Sequence, residues 1–224
     1  AQIEPVAVLT DVASVDCGFQ YTAAVKKDGT LWMWGGDYGK KPVKVMDGIA
    51  AVSCGGSVTA VIKTDGTLWT WTGNKNAAAK KMLEDVKAVY CDGNDCCAAI
   101  CTDGSLWTWG MINERGNLGN GTTRAAATPQ KILEDVVDVS LGSQSLAVKE
   151  DGTLWGWGDI CGWIGQGNSI ISDYDIETDT EYSVSVQTVP VPISSLGQVS
   201  GVGCNGNAVV TAAGDLYMMG SNYT

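Results

Sequence analysis

Histidine is absent from this sequence of 224 residues. Its absence excludes Ser-His and Cys-His nucleophilic pairs, imidazole metal ligands and imidazole-based pH switches. Any enzymatic chemistry would therefore have to use carboxylates, lysine or cysteine. We find no motif for a nucleophile elbow, a phosphate-binding loop or a metal triad. The sequence predicts no catalytic residue, no metal and no cofactor, and we expect the chain not to be an enzyme.

Charge is also scarce, and most of it has one sign. Charged residues make up 17% of the chain, and 14 Lys and Arg stand against 25 Asp and Glu, which gives a net charge of −11. Because an acidic surface repels phosphate backbones, nucleic acid is not expected as a partner. No apolar run approaches the roughly 18 residues of a spanning helix, so we expect no membrane insertion. A weakly charged, turn-rich composition favours an extracellular or cell-surface location.

One motif is repeated along the chain. The string Asp-Gly-Thr-Leu-Trp-x-Trp begins at Asp28 and recurs with small changes from Asp65, Asp103 and Asp151, and a weaker copy begins at Ala213. Self-similarity of this kind is the signature of a repeat architecture. The five repeats have the approximate boundaries 5–40, 41–79, 80–127, 128–188 and 189–224.

The chemistry of the motif predicts a small sheet that is buried on both sides. Asp-Gly between β-prone runs indicates a hairpin tip, and we expect a type I′ turn with positive φ at both residues. In Leu-Trp-x-Trp the Leu projects to one face and both Trp to the other, so both faces are apolar. A repeat of about 40 residues with this pattern is typical of a propeller blade. A β-solenoid is the alternative, but its coils are usually shorter and do not need a hairpin in each unit.

The repeat resembles that of the regulator of chromosome condensation family. The resemblance rests on Cys17-Gly18, on Thr22-Ala23-Ala24-Val25, on the motif from Asp28, and on the Gly-rich stretch 116–121. It implies an all-β fold in which residues 1–224 form a single β-propeller domain with five blades. The family usually has seven blades and a histidine after Cys-Gly, and both features are missing. We expect residues 5–9 to pair with the fifth repeat and close the ring. The alternative is an open arc or a fragment of a seven-bladed propeller.

The resemblance also implies a binding role. Propellers usually bind through loops at one rim, and the family's bacterial branch includes a secreted β-lactamase inhibitor whose rim loops cover its target. Most of the loops here lack an aromatic residue, so that target is not carried over. We predict a non-enzymatic, secreted or cell-surface scaffold with an unidentified protein partner. The predicted rim residues are Phe19, Gln20, Tyr21, Asn94, Asp95, Gln144 and Trp163, with Phe19 and Tyr21 as anchors.

Two other functions are alternatives to this scaffold. The first is the family's eukaryotic role, which is nucleotide exchange on a small GTPase together with chromatin binding. The second is a carbohydrate-binding propeller that uses its axial funnel. Eight of the nine Trp residues stand in Trp-x-Trp pairs at one repeat position, which indicates core packing, and Trp163 alone stands outside them.

The cysteines and one acidic insertion complete the sequence features. We expect the cysteines at the shared repeat position to be buried thiols, namely Cys17, Cys54, Cys91 and Cys204. Three more, Cys96, Cys97 and Cys101, crowd the third repeat, where a single disulfide is the alternative to buried thiols. The insertion 172–189 alternates acids with Tyr, Ile and Thr, which predicts an extended strand or a projecting hairpin with a solvated acidic face.

Overall fold

The structure is a computed structural model that describes residues 4–72, 74–159, 169–175, 180–203 and 207–218. These residues form β-strands and one 3-10 turn, Gly36–Tyr38, which makes the chain all-β as predicted. No helix in the described ranges is long and apolar enough to span a membrane. The chain divides into two compact units, Ala1–Asp95 and Cys96–Thr224. Their boundary falls inside the predicted third repeat.

The first unit contains two four-stranded antiparallel sheets, each paired in chain order. One sheet belongs to each of the first two repeats, and strand β9 follows them. The strands are β1 (Val12–Cys17), β2 (Tyr21–Lys26), β3 (Leu31–Gly35), β4 (Val43–Met46), β5 (Ile49–Cys54), β6 (Val58–Lys63), β7 (Leu68–Thr72), β8 (Lys80–Leu83) and β9 (Val86–Cys91).

The second unit repeats the same antiparallel meander. Its first three strands pair in chain order, and the fourth repeat forms a sheet of order β13-β14-β15-β17-β16. The fifth repeat forms a three-stranded sheet, β18-β19-β20. The strands are β10 (Cys96–Cys101), β11 (Leu106–Gly110), β12 (Ala126–Leu133), β13 (Val136–Ser140), β14 (Gln144–Lys149), β15 (Leu154–Gly158), β16 (Ser169–Asp175), β17 (Thr180–Ile193), β18 (Val199–Gly203), β19 (Ala208–Thr211) and β20 (Leu216–Met218).

The Asp-Gly pairs lie at hairpin tips, as predicted, but the turn type differs from the prediction. Gly29 has a φ of 79°, whereas Asp28 is not in the left-handed region. The Lys26 amide donates to the Thr30 carbonyl at 2.9 Å, which closes a three-residue loop in place of the two-residue type I′ turn. The Asp28 carboxylate accepts from the Thr30 amide at 3.0 Å and from its hydroxyl at 2.7 Å. These two bonds hold Asp28 in an ordinary conformation and leave only the glycine with positive φ.

Each of these tips is also hydrogen-bonded to the following repeat. The Ile49 amide, at the start of β5, donates to the Gly29 carbonyl at 2.9 Å. The same bond joins Val86 to Gly66, Val136 to Gly104 and Val199 to Gly152. The motif therefore fixes both its own hairpin and the start of the next sheet.

The two faces of each sheet have different neighbours. We call the face that carries Leu31 and Met33 in the first repeat the trailing face, because it packs against the following repeat. The opposite face, which carries the second Trp of each pair, packs against the preceding repeat in the second and fourth repeats, where the Nε1 atoms of Trp71 and Trp157 donate to the Tyr38 hydroxyl and the Asn117 carbonyl. We call it the leading face. Trp71, Trp109 and Trp157 on this face are 6%, 4% and 0% exposed. The prediction that the eight paired Trp residues pack in the core is confirmed for these three, whereas Trp34 and the first Trp of each pair are only partly buried.

Residues 5–9 form no strand in the structure. Val6 and Val8 are 64% and 61% exposed, and the sheet of the fifth repeat contains only β18, β19 and β20 among the described residues. The predicted fourth strand of that repeat is therefore not supplied by residues 5–9 in the structure.

The cysteine prediction is correct in part. Cys54 is a buried free thiol, but Cys17 is exposed, and Cys91 and Cys97 are disulfide-bonded. Cys204 lies outside the described residues. The prediction for the acidic insertion is confirmed as a hairpin, because β16 and β17 pair antiparallel from Ser169–Val186 to Asp175–Thr180.

Candidate functional site

Phe19 lies at the tip of the loop that joins β1 to β2. Its side chain is 83% exposed. Its amide donates to the Gly56 carbonyl of the second repeat at 3.1 Å, and the neighbouring Gly18 amide donates to the Tyr21 carbonyl at 2.9 Å. The loop is therefore held by backbone hydrogen bonds on both sides while the phenyl ring faces solvent.

Tyr21 has a different environment, although it is only two residues away. It is 7% exposed, and its hydroxyl donates to the Val58 carbonyl at 2.6 Å and accepts from the Thr59 hydroxyl at 3.1 Å. Burial raises the pKa of this phenol well above its usual range. A Cβ atom at Gly18 would overlap the Tyr21 ring, so the glycine of Cys-Gly is needed for this packing. Tyr21 thus supports the loop and is not the exposed anchor that the sequence predicts.

Asp95 fixes the matching loop of the second repeat. Its carboxylate accepts from the Ser57 amide at 2.6 Å, from the Ser57 hydroxyl, and from the Val58 amide at 2.8 Å. The backbone of Asp95 has a positive φ of 60°. The three hydrogen bonds that its carboxylate accepts help to stabilise this conformation. The adjacent Asn94 is exposed, and its amide donates to the Asp92 carboxylate at 2.9 Å. Of these two predicted rim residues, Asp95 positions the loop and Asn94 faces solvent.

These loops line an open pocket with a volume of about 380 Å³. The pocket brings together three of the predicted rim residues, Phe19, Gln20 and Tyr21, and Asp95 holds its wall through Ser57. The other lining residues are Gly36, Asp37, Gly56, Ser57, Thr72 and Asn74. Among all the lining residues, Asp37 carries the only charge, so the pocket combines an exposed aromatic ring with one carboxylate.

Sequence reasoning missed Asp37, which lies in the short turn after β3. Tyr38, the next residue, is buried, and its hydroxyl accepts from the indole Nε1 of Trp71 at 3.1 Å. Burial of Tyr38 leaves Asp37 exposed toward the pocket. The signal in the sequence is the pair Gly35-Gly36, whose φ values of 87° and 47° turn the chain sharply after the strand.

In the second unit, Gln144 is the one predicted rim residue that the structure describes. It begins β14 opposite Gly158 and is only partly exposed. Its Oε1 atom is buried without a hydrogen-bond partner in the described part of the chain. Trp163 lies outside the described residues.

The second unit has an exposed apolar patch that the sequence analysis did not predict. Met111 and Ile112 follow β11 and are 68% and 46% exposed. The next residue, Asn113, is 1% exposed. It accepts from the Leu118 amide at 2.8 Å and donates to the Arg124 carbonyl at 2.8 Å. Asn113 therefore anchors the loop, and the two apolar residues before it are displayed to solvent.

The first Trp of each pair does not offer an open stacking surface in three of the repeats. The Lys63 Nζ lies 4.4 Å from the Trp69 ring centroid, and the Lys149 Nζ lies 4.9 Å from that of Trp155. In the first repeat the Lys26 Nζ stands 6.0 Å from the ring centroid of Trp32. A sugar ring would have to displace these cations. Within the described ranges, no cluster of three or more acidic or Cys side chains could hold a metal ion.

Comparison with solved structures identifies the fold. Prp20p from Saccharomyces cerevisiae, whose structure was studied together with its binding to Gsp1p and histones, is similar with a TM-score of 0.71 and 17% identity. Human WBSCR16 is similar with a TM-score of 0.72 and 22% identity. The alignments cover 92% and 93% of this chain but only 57% and 62% of those proteins. The chain therefore has the fold of these β-propellers and spans less than two thirds of their length.

Family comparison agrees with the repeat pattern. Models of the regulator of chromosome condensation (RCC1) repeat match residues 12–39 and residues 103–148. The first match spans β1 to β3 and the loop of Phe19, and the second begins at the Asp-Gly tip before β11. The chain therefore contains repeats of the regulator of chromosome condensation type in these two segments.

Proposed function

We propose that the chain is a non-enzymatic protein-binding scaffold that holds its partner at the pocket beside Phe19. The observation that carries the proposal is the exposure of Phe19, the only phenylalanine in the sequence, at 83%. The second repeat has Gly56 at the same position of its loop, so the repeat folds without an aromatic side chain there. Because packing does not account for the exposed ring, binding is the better explanation.

The geometry of the loop also favours binding to a protein. Backbone bonds from Phe19 to Gly56 and from Gly18 to Tyr21 fix the loop before any partner arrives. The loop therefore loses little conformational entropy when a partner binds to this surface. A volume of about 380 Å³ accommodates one or two side chains of a partner loop. Because Asp37 is the only charged lining residue, the pocket favours a basic or neutral group over an acidic one.

An extracellular or cell-surface location is part of the proposal. The disulfide bonds at Cys91 and Cys97 support it, since disulfides persist mainly in oxidising compartments. The low content of charged residues, 17%, is consistent with the same location. A secreted scaffold of the family's bacterial type is the form of the proposal that these features favour.

The test is a comparative capture experiment. The full chain and two variants, Phe19→Ala and Val43→Ala, are immobilised and exposed to the secreted and surface proteins of the source cells. Val43 lies on β4 and is 40% exposed, so its variant controls for the loss of an exposed apolar side chain. We expect a protein that is retained by the wild type and by Val43→Ala but lost with Phe19→Ala.

Calorimetry with the captured protein then gives the affinity. We expect Phe19→Ala to weaken binding by at least about tenfold, which is about 1.4 kcal/mol, and Asp37→Asn to weaken it if the bound group is basic. Equal retention by Phe19→Ala and the wild type would refute this site. Enzymatic turnover of the captured protein would refute the non-enzymatic part of the proposal.

Guanine-nucleotide exchange is the second candidate function, because the structure of the similar Prp20p was studied with its binding to Gsp1p and histones. A net charge of −11 disfavours direct contact with DNA, but it is compatible with a basic protein such as a histone. Measurement of fluorescent nucleotide release from small GTPases decides between the two candidates. Faster release in the presence of the chain would favour exchange over the scaffold.

A further inference from the structure

The candidate pocket contains one acid that the chain does not pair. Asp37 is exposed and lines the pocket, and it forms no ion pair with any residue of the described ranges. Lys40 and Lys41 follow it closely in the sequence, but both are exposed and neither lines the pocket. Gly73 stands between two lining residues and lies outside the described residues, and a glycine cannot supply a cation. The Asp37 carboxylate is therefore available to a positive group from outside the chain.

The aromatic ring at the same pocket is also without a cation. Elsewhere the chain places a lysine over an aromatic ring. The Lys63 Nζ is 4.4 Å from the Trp69 ring centroid, and the Lys149 Nζ is 4.9 Å from that of Trp155. In the part of the chain that the structure describes, no Lys or Arg lies over the Phe19 ring. Because the face of an aromatic ring attracts cations, Phe19 offers a free ring face beside an unpaired carboxylate.

The repeat fold requires neither of these two features. The second repeat has Gly56 where the first has Phe19, and it has Asn74 where the first has Asp37, in each case shortly after the second Trp of the pair. The second repeat nevertheless forms the same four-stranded sheet. Since the fold does not account for the ring or for the carboxylate, their presence together at one pocket indicates a ligand that contacts both.

The charge of Asp37 decides between a neutral and a basic ligand group. A partner loop that fills the pocket removes water from the walls, including the water around this carboxylate. Desolvation of a carboxylate costs free energy unless a positive group pairs with it. A neutral side chain would leave this cost without compensation, whereas a basic side chain would pair with Asp37 and lie over the Phe19 ring.

The neutral side chains of the pocket favour arginine over lysine. Gln20 and Thr72 are exposed at the pocket, and neither side chain forms a hydrogen bond within the described ranges. Their oxygen atoms are therefore free to accept at the same time as the Asp37 carboxylate. A guanidinium group has five N–H donors in one plane and stacks on aromatic rings, whereas an ammonium group is a compact and strongly hydrated charge. The combination of one ring face with several acceptors matches the guanidinium group.

We propose that the pocket receives one arginine side chain of the partner, with the guanidinium plane over the Phe19 ring and its N–H groups donating to the Asp37 carboxylate. This inference rests on the proposed function, which specifies a protein partner but not whether the bound group is basic or neutral. It adds the chemistry by which the partner is recognised. The partner is a protein that presents an exposed arginine on a loop narrow enough to enter between the loops of the first two repeats.

Phe19 is the only phenylalanine of the sequence, so its ring gives a single set of NMR signals at this site. The full chain labelled with ¹³C-phenylalanine is titrated with short Gly/Ser peptides that differ only in a central Arg, Lys, citrulline or Glu residue. Citrulline has the shape of arginine without its charge. We expect the Arg peptide to shift the Phe19 signals with a dissociation constant at least about threefold below that of the citrulline peptide. The Lys peptide should lie between these two, and the Glu peptide should bind most weakly.

Two matched variants test whether the preference comes from the pocket carboxylate. Asp37→Asn removes the charge in the pocket, and Asp47→Asn removes one at the exposed turn after β4, where Asp47 pairs with Lys44 at 2.6 Å. Asp37→Asn should lose most of the preference for the Arg peptide, whereas Asp47→Asn should keep it. Equal binding of the Arg and citrulline peptides by the wild type, an unchanged preference in Asp37→Asn, or no shift of the Phe19 signals with any peptide would overturn the proposal. Tighter binding of the Lys peptide than of the Arg peptide would overturn the choice of arginine.

The capture experiment separates this inference from the proposed function. If Phe19→Ala loses the partner but the wild type does not prefer the Arg peptide, the scaffold stands and the arginine inference fails. If the wild type prefers the Arg peptide but Phe19→Ala still retains the partner, the proposed partner site fails and the pocket remains a site for a basic group.

Discussion

Phe19 and Tyr21 are two aromatic residues of one loop, but the structure predicts that their mutation changes the stability of the chain by very different amounts. Tyr21→Phe removes only the hydroxyl, which donates to the Val58 carbonyl at 2.6 Å and accepts from Thr59 at 3.1 Å. The residue is 7% exposed, so water cannot easily replace the lost partner. Leaving a buried acceptor unpaired costs about 1–3 kcal/mol. We expect the free energy of unfolding to fall by this amount.

Phe19→Ala removes a larger side chain, but one that is 83% exposed. Substitutions at exposed positions change stability by about 0.5 kcal/mol or less. Urea unfolding followed by far-UV circular dichroism measures both variants against the wild type. We expect Tyr21→Phe, although it is the smaller chemical change, to lower the free energy of unfolding more than Phe19→Ala does. If Phe19→Ala destabilised the chain as much as Tyr21→Phe, the Phe19 ring would be packed in solution and the reasoning for an exposed anchor would fail.

Three further predictions concern the repeat itself. Trp157 is 0% exposed and donates from Nε1 to a backbone carbonyl at 2.8 Å, so Trp157→Phe should cost about 2–3 kcal/mol in urea unfolding, whereas Trp155→Phe on the same strand should cost less than about 1 kcal/mol. Hydrogen bonds from Thr67 lower the pKa of the Asp65 carboxyl, so its contribution to stability is present above the unfolded pKa of about 3.9 and is lost as pH falls through the lower folded value. The unfolding midpoint of Thr67→Val should accordingly fall less steeply than that of the wild type between about pH 4 and pH 2, and equal slopes would contradict this. Dithiothreitol should lower the urea midpoint of the wild type but not that of Cys97→Ser, since only the wild type has a disulfide at that position to lose.

The sequence predicted the features that short-range patterns specify. Strand positions follow from the alternation in Leu-Trp-x-Trp, and the hairpin tips follow from Asp-Gly. The type of turn did not follow, because it depends on the hydrogen bonds between Asp28 and Thr30, which make a three-residue loop more favourable than the expected one.

The candidate site was predicted less completely, because burial there depends on contacts with the neighbouring repeat. Phe19 and Tyr21 look equivalent in the sequence, but only Tyr21 reaches the Val58 carbonyl of the second repeat. Asp37 joins the pocket because Tyr38 is buried against Trp71. Loop contacts over more than thirty residues of sequence are not encoded in either loop alone.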